Sequence, residues 1–347
     1  MKTIRVAGSR PYEIVIEKGA ISNVAGFIPE RLAAPRKICV ITDSTVNLQY
    51  ADRVVNSLKD AGYSTFKLLF PTGEHSKTLN TYANMMDALA DEGFSKSDMI
   101  LALGGGTVAE LSAFIAGTYM RGIGYIYVPT TLHAIIESSL GGTAGLNLLG
   151  KKNLAGFFWS PSFVIADTQV LDTLPQDSIN DGLAEALKYA VISDSSLITH
   201  IIDRNYAYII DRCLFIKKPL VEVDENDTGL RQLLSFGHTV GDALEKMSSY
   251  NLSSGQALAT GMLAESKAAY KAGYCRADVS EELAKTLESI GFDKDYDLDL
   301  DELYKISLSD NKIRDGFMNI IVPEVIGKCS IRKITMPELK SYIYAME

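Results

Sequence analysis

Residues 99–103 (MILAL) form a short apolar run that stops at Gly104-Gly105-Gly106-Thr107 and resumes as a helical pattern over 108–120. A run this short and this apolar, closed by glycines, reads as a strand buried on both faces. Such strands belong to parallel sheets covered by helices. The surrounding segments agree. Residues 37–42 (KICVIT) read as a buried strand, 50–61 as a helix, 65–70 as a strand, 79–89 as a helix and 124–128 as a strand. This alternation predicts a β-α-β domain. Residues 12–17 (YEIVIE) alternate in polarity, as a hairpin arm does.

Three glycines between a strand and a helix let the backbone approach a pyrophosphate, and the helix start offers free N–H groups. The run is neither G-x-G-x-x-G nor followed by Gly-Lys-Ser/Thr, so the dinucleotide fingerprint and the P-loop are both excluded. A ligand-free tight turn has the same composition. Asp43, just past strand 37–42, suits either ribose hydroxyls or the cap of the next turn. Gly73-Glu74-His75-Ser76-Lys77 is a polar loop, with Ser76 or Thr78 as the N-cap of the following helix.

From about Asp177 the pattern changes. Helical periods cover 180–189, 197–206, 208–223, 230–248, 255–272 and 280–290, and only 319–323 and 329–334 look like strands. A boundary at Leu174-Pro175 therefore divides an α/β domain (1–175) from a mainly helical one (176–347). Two domains also suit 347 residues at roughly 150 per domain. A net charge of −9 argues against a nucleic-acid binder. No apolar run reaches the ~18 residues of a membrane span. The N-terminus lacks a signal-peptide core, and Cys39, Cys213, Cys275 and Cys329 are scattered like reduced thiols. These features predict a cytoplasmic protein.

Several blocks resemble one family. They are GEHSK at 73–77, LGGGTVAELSAFIAGTYMRGI at 103–123, PTTLHAIIESSLGGTAGLN at 129–147, GKKNLAGFFWSP at 150–161 and DTQVLDTLP at 167–175. The second half adds GLAEALKYAVISD at 182–194, IKKPLVEVDENDTGLRQLLSFGHTVGDALE at 216–245 and SGQALATGM at 254–262. In order and across nearly the whole chain, they resemble the 3-dehydroquinate synthases of the sugar-phosphate cyclase superfamily. The resemblance implies an NAD-dependent carbon–oxygen lyase. Its substrate would be a seven-carbon phosphorylated keto acid, oxidised at one alcohol, stripped of phosphate, reduced again and closed into a ring.

The resemblance also implies roles. NAD contacts fall on Asp43, Glu74, Lys77, Gly105, Gly106, Thr107, Glu110, Thr130, Thr131, Lys152 and Thr173. Lys152 and Asn153 lie beside cofactor and substrate, Lys188 shares the metal's hydroxyl network, and Lys217 with Arg231 grips a carboxylate. Arg121 reaches a neighbouring subunit's phosphate site, which implies a homodimer. The family's metal is zinc, and Glu185 and His238 match two of its three ligands. Ser254 stands where the second histidine belongs, and a serine hydroxyl is a poor zinc ligand.

Other departures surround the phosphate. Thr143 replaces a lysine, Ser235 an asparagine and Asp242 a histidine, while the late Asp-Lys-Lys is Asp310-Asn311-Lys312. Glu110 and Glu137 replace aspartates. Two readings of the metal site stay open: Glu185 and His238 bind nothing, or Asp242, four after His238 and on the same helix face, replaces the missing ligand, with a harder metal such as manganese. His133 reads as a polar residue at a helix start, His75 and His200 as surface residues, and Met85-Met86 and Phe157-Phe158-Trp159 as packing. The acidic run 297–302 reads as a solvated loop and helix start. Three functions remain open from sequence: a 3-dehydroquinate synthase of weak or altered activity, a paralogue acting on a non-phosphorylated carboxylated polyol, and a non-catalytic NAD-binding homologue.

Overall fold

Every residue of Met99–Gly104 (β5) is buried, as are all but the first of Lys37–Asp43 (β3). Strands with no wet face must lie inside a covered sheet. The computed structural model, which describes residues 1–32, 37–249, 251–293, 298–308 and 312–346, has such a sheet. Its other strands are Lys2–Val6 (β1), Tyr12–Ile16 (β2), Ser64–Phe70 (β4), Gly124–Pro129 (β6) and Phe163–Ala166 (β9). The order is β1-β2-β9-β6-β5-β3-β4. β1 and β2 pair antiparallel, so residues 12–16 are a hairpin arm, and the remaining pairs are parallel. After β3 the chain adds β4 on one side and then β5 and β6 on the other. The order thus reverses beside β3, and a doubly wound sheet takes its ligand outside the carboxyl ends at such a point. Asp43 and Gly104 end the two strands that flank it.

The chain divides into two compact units, Met1–Pro175 and Gln176–Glu347. In the first, a second hairpin pairs Thr143–Leu148 (β7) with Lys151–Phe158 (β8). The sequence pattern did not suggest it, nor β9. The helix predicted over 108–120 starts at Gly106 and stops at Thr118, because Met120 (φ 49°) and Arg121 (φ 63°) turn left-handed. Phe157 packs on Phe114 and on Trp159, and Met85 is buried, as packing residues should be.

The second unit is helical, with one hairpin of Phe317–Val325 (β10) and Lys328–Thr335 (β11). Its core joins helices His238–Met247 and Ser254–Lys271 to this hairpin through Val240, Ala264, Ala268, Met318, Ile320 and Ile334. The helix expected over 197–206 ends early, at Ile202, and the one expected over 208–223 starts at Tyr206, where its N-cap Asn205 accepts from Tyr208 N–H. Residues 230–248 split into a 3-10 turn, Leu230–Ser235, and the helix from His238, with Gly237 left-handed between them (φ 78°). Helices Ser280–Ser289, predicted over 280–290, Leu300–Ser307 and Met336–Tyr344 also belong to the unit. Asp297, Asp310 and Asn311 lie outside the described residues. Among the described residues no helix is long and apolar enough to cross a membrane.

Candidate active site

In the first unit the glycine turn is enforced by packing. A Cβ on Gly104 would lie 2.4 Å from Val108 Cγ2, so the helix Gly106–Thr118 can fold back over β5 only with glycine there. Thr130 N donates to Gly104 O (3.1 Å), which sets the end of β6 beside the turn. Thr130 Oγ1 is buried with no hydrogen-bond partner, and Thr131 Oγ1 accepts from Ala134 N.

Next to this turn lies a charged cluster. Lys77, wholly buried, contacts Glu74 Oε1 (2.6 Å) and the Glu110 carboxylate. Thr107 Oγ1 donates to Glu74 Oε2 (2.9 Å). Asn147 Nδ2 donates to Glu74 Oε1 (2.9 Å), Asn147 Oδ1 accepts from Asn153 N (2.9 Å), and Asn153 Nδ2 donates to Glu110 Oε1 (3.2 Å). Burial pushes the Glu74 carboxyl up, but Lys77 and Lys152 outweigh it and hold the group below its ordinary range. Burial likewise pushes Lys77 down, and Glu110 and Glu74 reverse that, so its pKa is raised. Asn153 is left-handed (φ 51°), and its Oδ1 is buried with no hydrogen-bond partner.

The structure therefore gathers Glu74, Lys77, Thr107, Glu110 and Asn153, with Lys152 acting on Glu74. Asn147, to which the sequence gives no role, joins the two halves of the network. Asp43 does not enter it. Its Oδ1 caps the turn at Thr45 N and Val46 N and accepts from Thr72. Thr173 also stands apart, its hydroxyl paired with Tyr50 and donating to Val170 O.

In the second unit, Glu185 and Lys188 share a face of helix Gln176–Ile192, and neither side chain has exposed surface. The Lys188 ammonium contacts Glu185 Oε1 and lies 3.5 Å from His238 Nε2. His238 Nε2 is 3.8 Å from Glu185 Oε2. The helix that begins at His238 has no side-chain cap of its own. Glu265 supplies one from the neighbouring helix, accepting from Gly237 N (2.9 Å) and Val240 N (3.3 Å). Lys217 and Arg231 are both buried, and Arg231 Nη1 donates to Glu225 O.

The proposed replacement ligands are not brought to this pair. Asp242 Oδ1 lies 3.8 Å from His238 Nδ1, the ring nitrogen opposite the one that faces Glu185. An ion on Nε2 would sit on the ring edge away from Asp242. Ser254, the first residue of its helix, donates its hydroxyl to Glu245 Oε1. Among the described residues no three His, Cys, Asp or Glu side chains converge as metal ligands do.

Two family models cover the chain consecutively: 3-dehydroquinate synthase N-terminal over residues 67–181 and 3-dehydroquinate synthase C-terminal over 182–313. A 3-dehydroquinate synthase of Clostridium acetobutylicum is 36% identical over 99% of this chain and 99% of its own length. The chain belongs to the 3-dehydroquinate synthase family. Another family enzyme, from Streptococcus thermophilus, is 38% identical over 96% of this chain and 97% of its own. Among solved structures, 2-deoxy-scyllo-inosose synthase complexed with carbaglucose-6-phosphate, NAD+ and Co2+ superposes with a TM-score of 0.88, at 24% identity, covering 99% of each chain. The two 3-dehydroquinate synthase models meet between Asp181 and Gly182, inside the helix that carries Glu185 and Lys188.

Proposed function

We propose that the chain catalyses the 3-dehydroquinate synthase reaction, eliminating phosphate from a seven-carbon phosphorylated keto acid and closing the carbocycle. The observation that carries this reading is the 36% identity to a 3-dehydroquinate synthase across 99% of both chains. Full-length agreement favours it over the polyol paralogue and the non-catalytic homologue. The enzyme is then a cytoplasmic carbon–oxygen lyase.

NAD fits the first unit. The glycine turn, the helix start at Gly106 and the unpartnered Thr130 hydroxyl offer a pyrophosphate backbone N–H groups and a donor. Bound there, NAD supplies the acceptor and donor of hydride. The Glu74–Lys77–Glu110 cluster holds Asn153 in its left-handed conformation, with Oδ1 unpaired for a ligand N–H or O–H. Lys217 and Arg231 bind the substrate carboxylate, for which an ammonium and a guanidinium fork are suited. A divalent metal does not fit the donors among the described residues, where no third His, Cys, Asp or Glu joins Glu185 and His238.

Arg121 follows Met120 in a left-handed pair just past its helix end, and its side chain is exposed. We assign it to the phosphate of a second copy, in a homodimer. Sedimentation is expected to give twice the 37.9 kDa chain mass, and a strict monomer at micromolar concentration would remove this role. The function itself is tested by phosphate release from the seven-carbon substrate with NAD present. Release is expected, and its complete absence in folded, NAD-bound protein would reject the reading.

A further inference from the structure

We infer that the cation facing Glu185 and His238 in this chain is the Lys188 ammonium, and that the site, one donor short, retains no divalent ion. The inference builds on the reading above only in taking Glu185 and His238 as the candidate donor pair. A carboxylate without exposed surface requires a positive partner at contact, since no water offsets its charge. Lys188 meets that requirement from one helical turn away, also fully buried.

The same ammonium lies 3.5 Å from His238 Nε2, so it faces both groups that a metal would need. The other ring nitrogen, Nδ1, lies 3.8 Å from Asp242 Oδ1. A divalent ion entering here would find two protein donors, Glu185 and His238, where open catalytic sites generally have three.

Residue 254 decides the shortfall. Ser254 is exposed, and its hydroxyl donates to the buried carboxylate of Glu245. A carboxylate so placed would accept the second ring N–H of an imidazole and orient it, as partners of metal-bound histidines do. Ser254 stands at an exposed position where the resemblance puts the second histidine, so Ser254→His restores the donor that the resemblance expects.

The test uses the full chain and no substrate. Wild type and Ser254→His are incubated with Co2+, desalted and read by elemental analysis and by the visible absorption of low-coordinate Co2+. Wild type is expected to keep less than about 0.1 ion per chain and the variant about one. About one ion on wild type would overturn the inference, as would a variant that melts like wild type yet keeps no more metal. If the variant folds poorly, the wild-type count alone decides. Because retention is read without turnover, a failure here leaves phosphate release intact, and a failure of phosphate release leaves the metal count standing.

Discussion

An ammonium with no exposed surface must have its charge met on the spot, and Lys77 has Glu74 on one side and Glu110 on the other. Removing the lysine leaves two carboxylates facing one another with little water to screen them. Lys77→Met is expected to lose about 3–5 kcal/mol of stability at neutral pH, measured by urea unfolding. The pH dependence of the wild type has a definite sign. Glu74 is held below its ordinary value, so its contribution is present above the unfolded pKa and disappears as the pH falls through the folded one. Lys77 is raised, so its contribution is full below its unfolded pKa and disappears as the pH rises through the folded one. In Lys77→Met the deficit should shrink in acid, where the orphaned carboxylates take up protons. Glu74, Lys77 and Glu110 were legible in sequence because they sit in blocks that resemble a family. Asn147 was not, since an asparagine inside a strand carries no local signal. Its role exists only because β7 brings it beside Glu74 and Asn153.

The helix His238–Met247 shows why elements were legible in part. Leu230, Leu233, Leu234, Val240, Ala243 and Leu244 keep a helical period straight through Gly237, and so residues 230–248 read as one helix. The break is set from elsewhere, by Glu265 accepting the N–H groups of Gly237 and Val240. No local pattern reveals a cap supplied by another helix. The β7–β8 hairpin was missed for a similar reason. Gly145 and Gly156 weaken each strand's signal, yet they pair across the hairpin, where a Cβ on Gly156 would lie 2.6 Å from Ala144 O. The buried strands of the sheet needed no such context, because their burial is written in continuous apolar runs. Two measurements test the Gly237 corner. Gly237→Ala forces an L-residue to φ 78° and places its Cβ 2.6 Å from Met262 Cγ. Left-handed strain and overpacking together should cost about 2–4 kcal/mol in urea unfolding. Glu265 is pushed up to about 7, chiefly by burial, so the folded state holds its proton after the unfolded chain has released it. Stability attached to that proton is full below about pH 4.5 and lost as the pH rises through about 7. Relative to Glu265→Gln, the wild type should therefore lose about 3 kcal/mol between pH 4.5 and pH 8. A constant difference across that range would place the proton elsewhere.

Identity of 36% to a 3-dehydroquinate synthase runs over 99% of the chain and so through both units. Three departures fall at positions that the resemblance assigns to one phosphate. A buried phosphate carries about two negative charges, and each must be offset by cations or donors. At the start of β7, Thr143 supplies a hydroxyl where the resemblance expects an ammonium. Ser235, at the end of its 3-10 turn, is shorter than the amide expected there. On the helix that begins at His238, Asp242 adds a negative charge in place of an imidazole. Each weakened charge-assisted hydrogen bond is worth about 1.5–3 kcal/mol, and the three changes share a sign. The wild type should turn over the phosphorylated substrate with a kcat/KM far below that of its relatives. The triple variant Thr143→Lys, Ser235→Asn, Asp242→His should raise kcat/KM by at least about 100-fold, which is under 3 kcal/mol and so less than the three terms summed. Any gain must come through the phosphate, so a substrate analogue lacking it should bind both proteins equally. A wild type already as fast as its relatives, with no gain on restoration, would mean that other cations of this chain hold the phosphate.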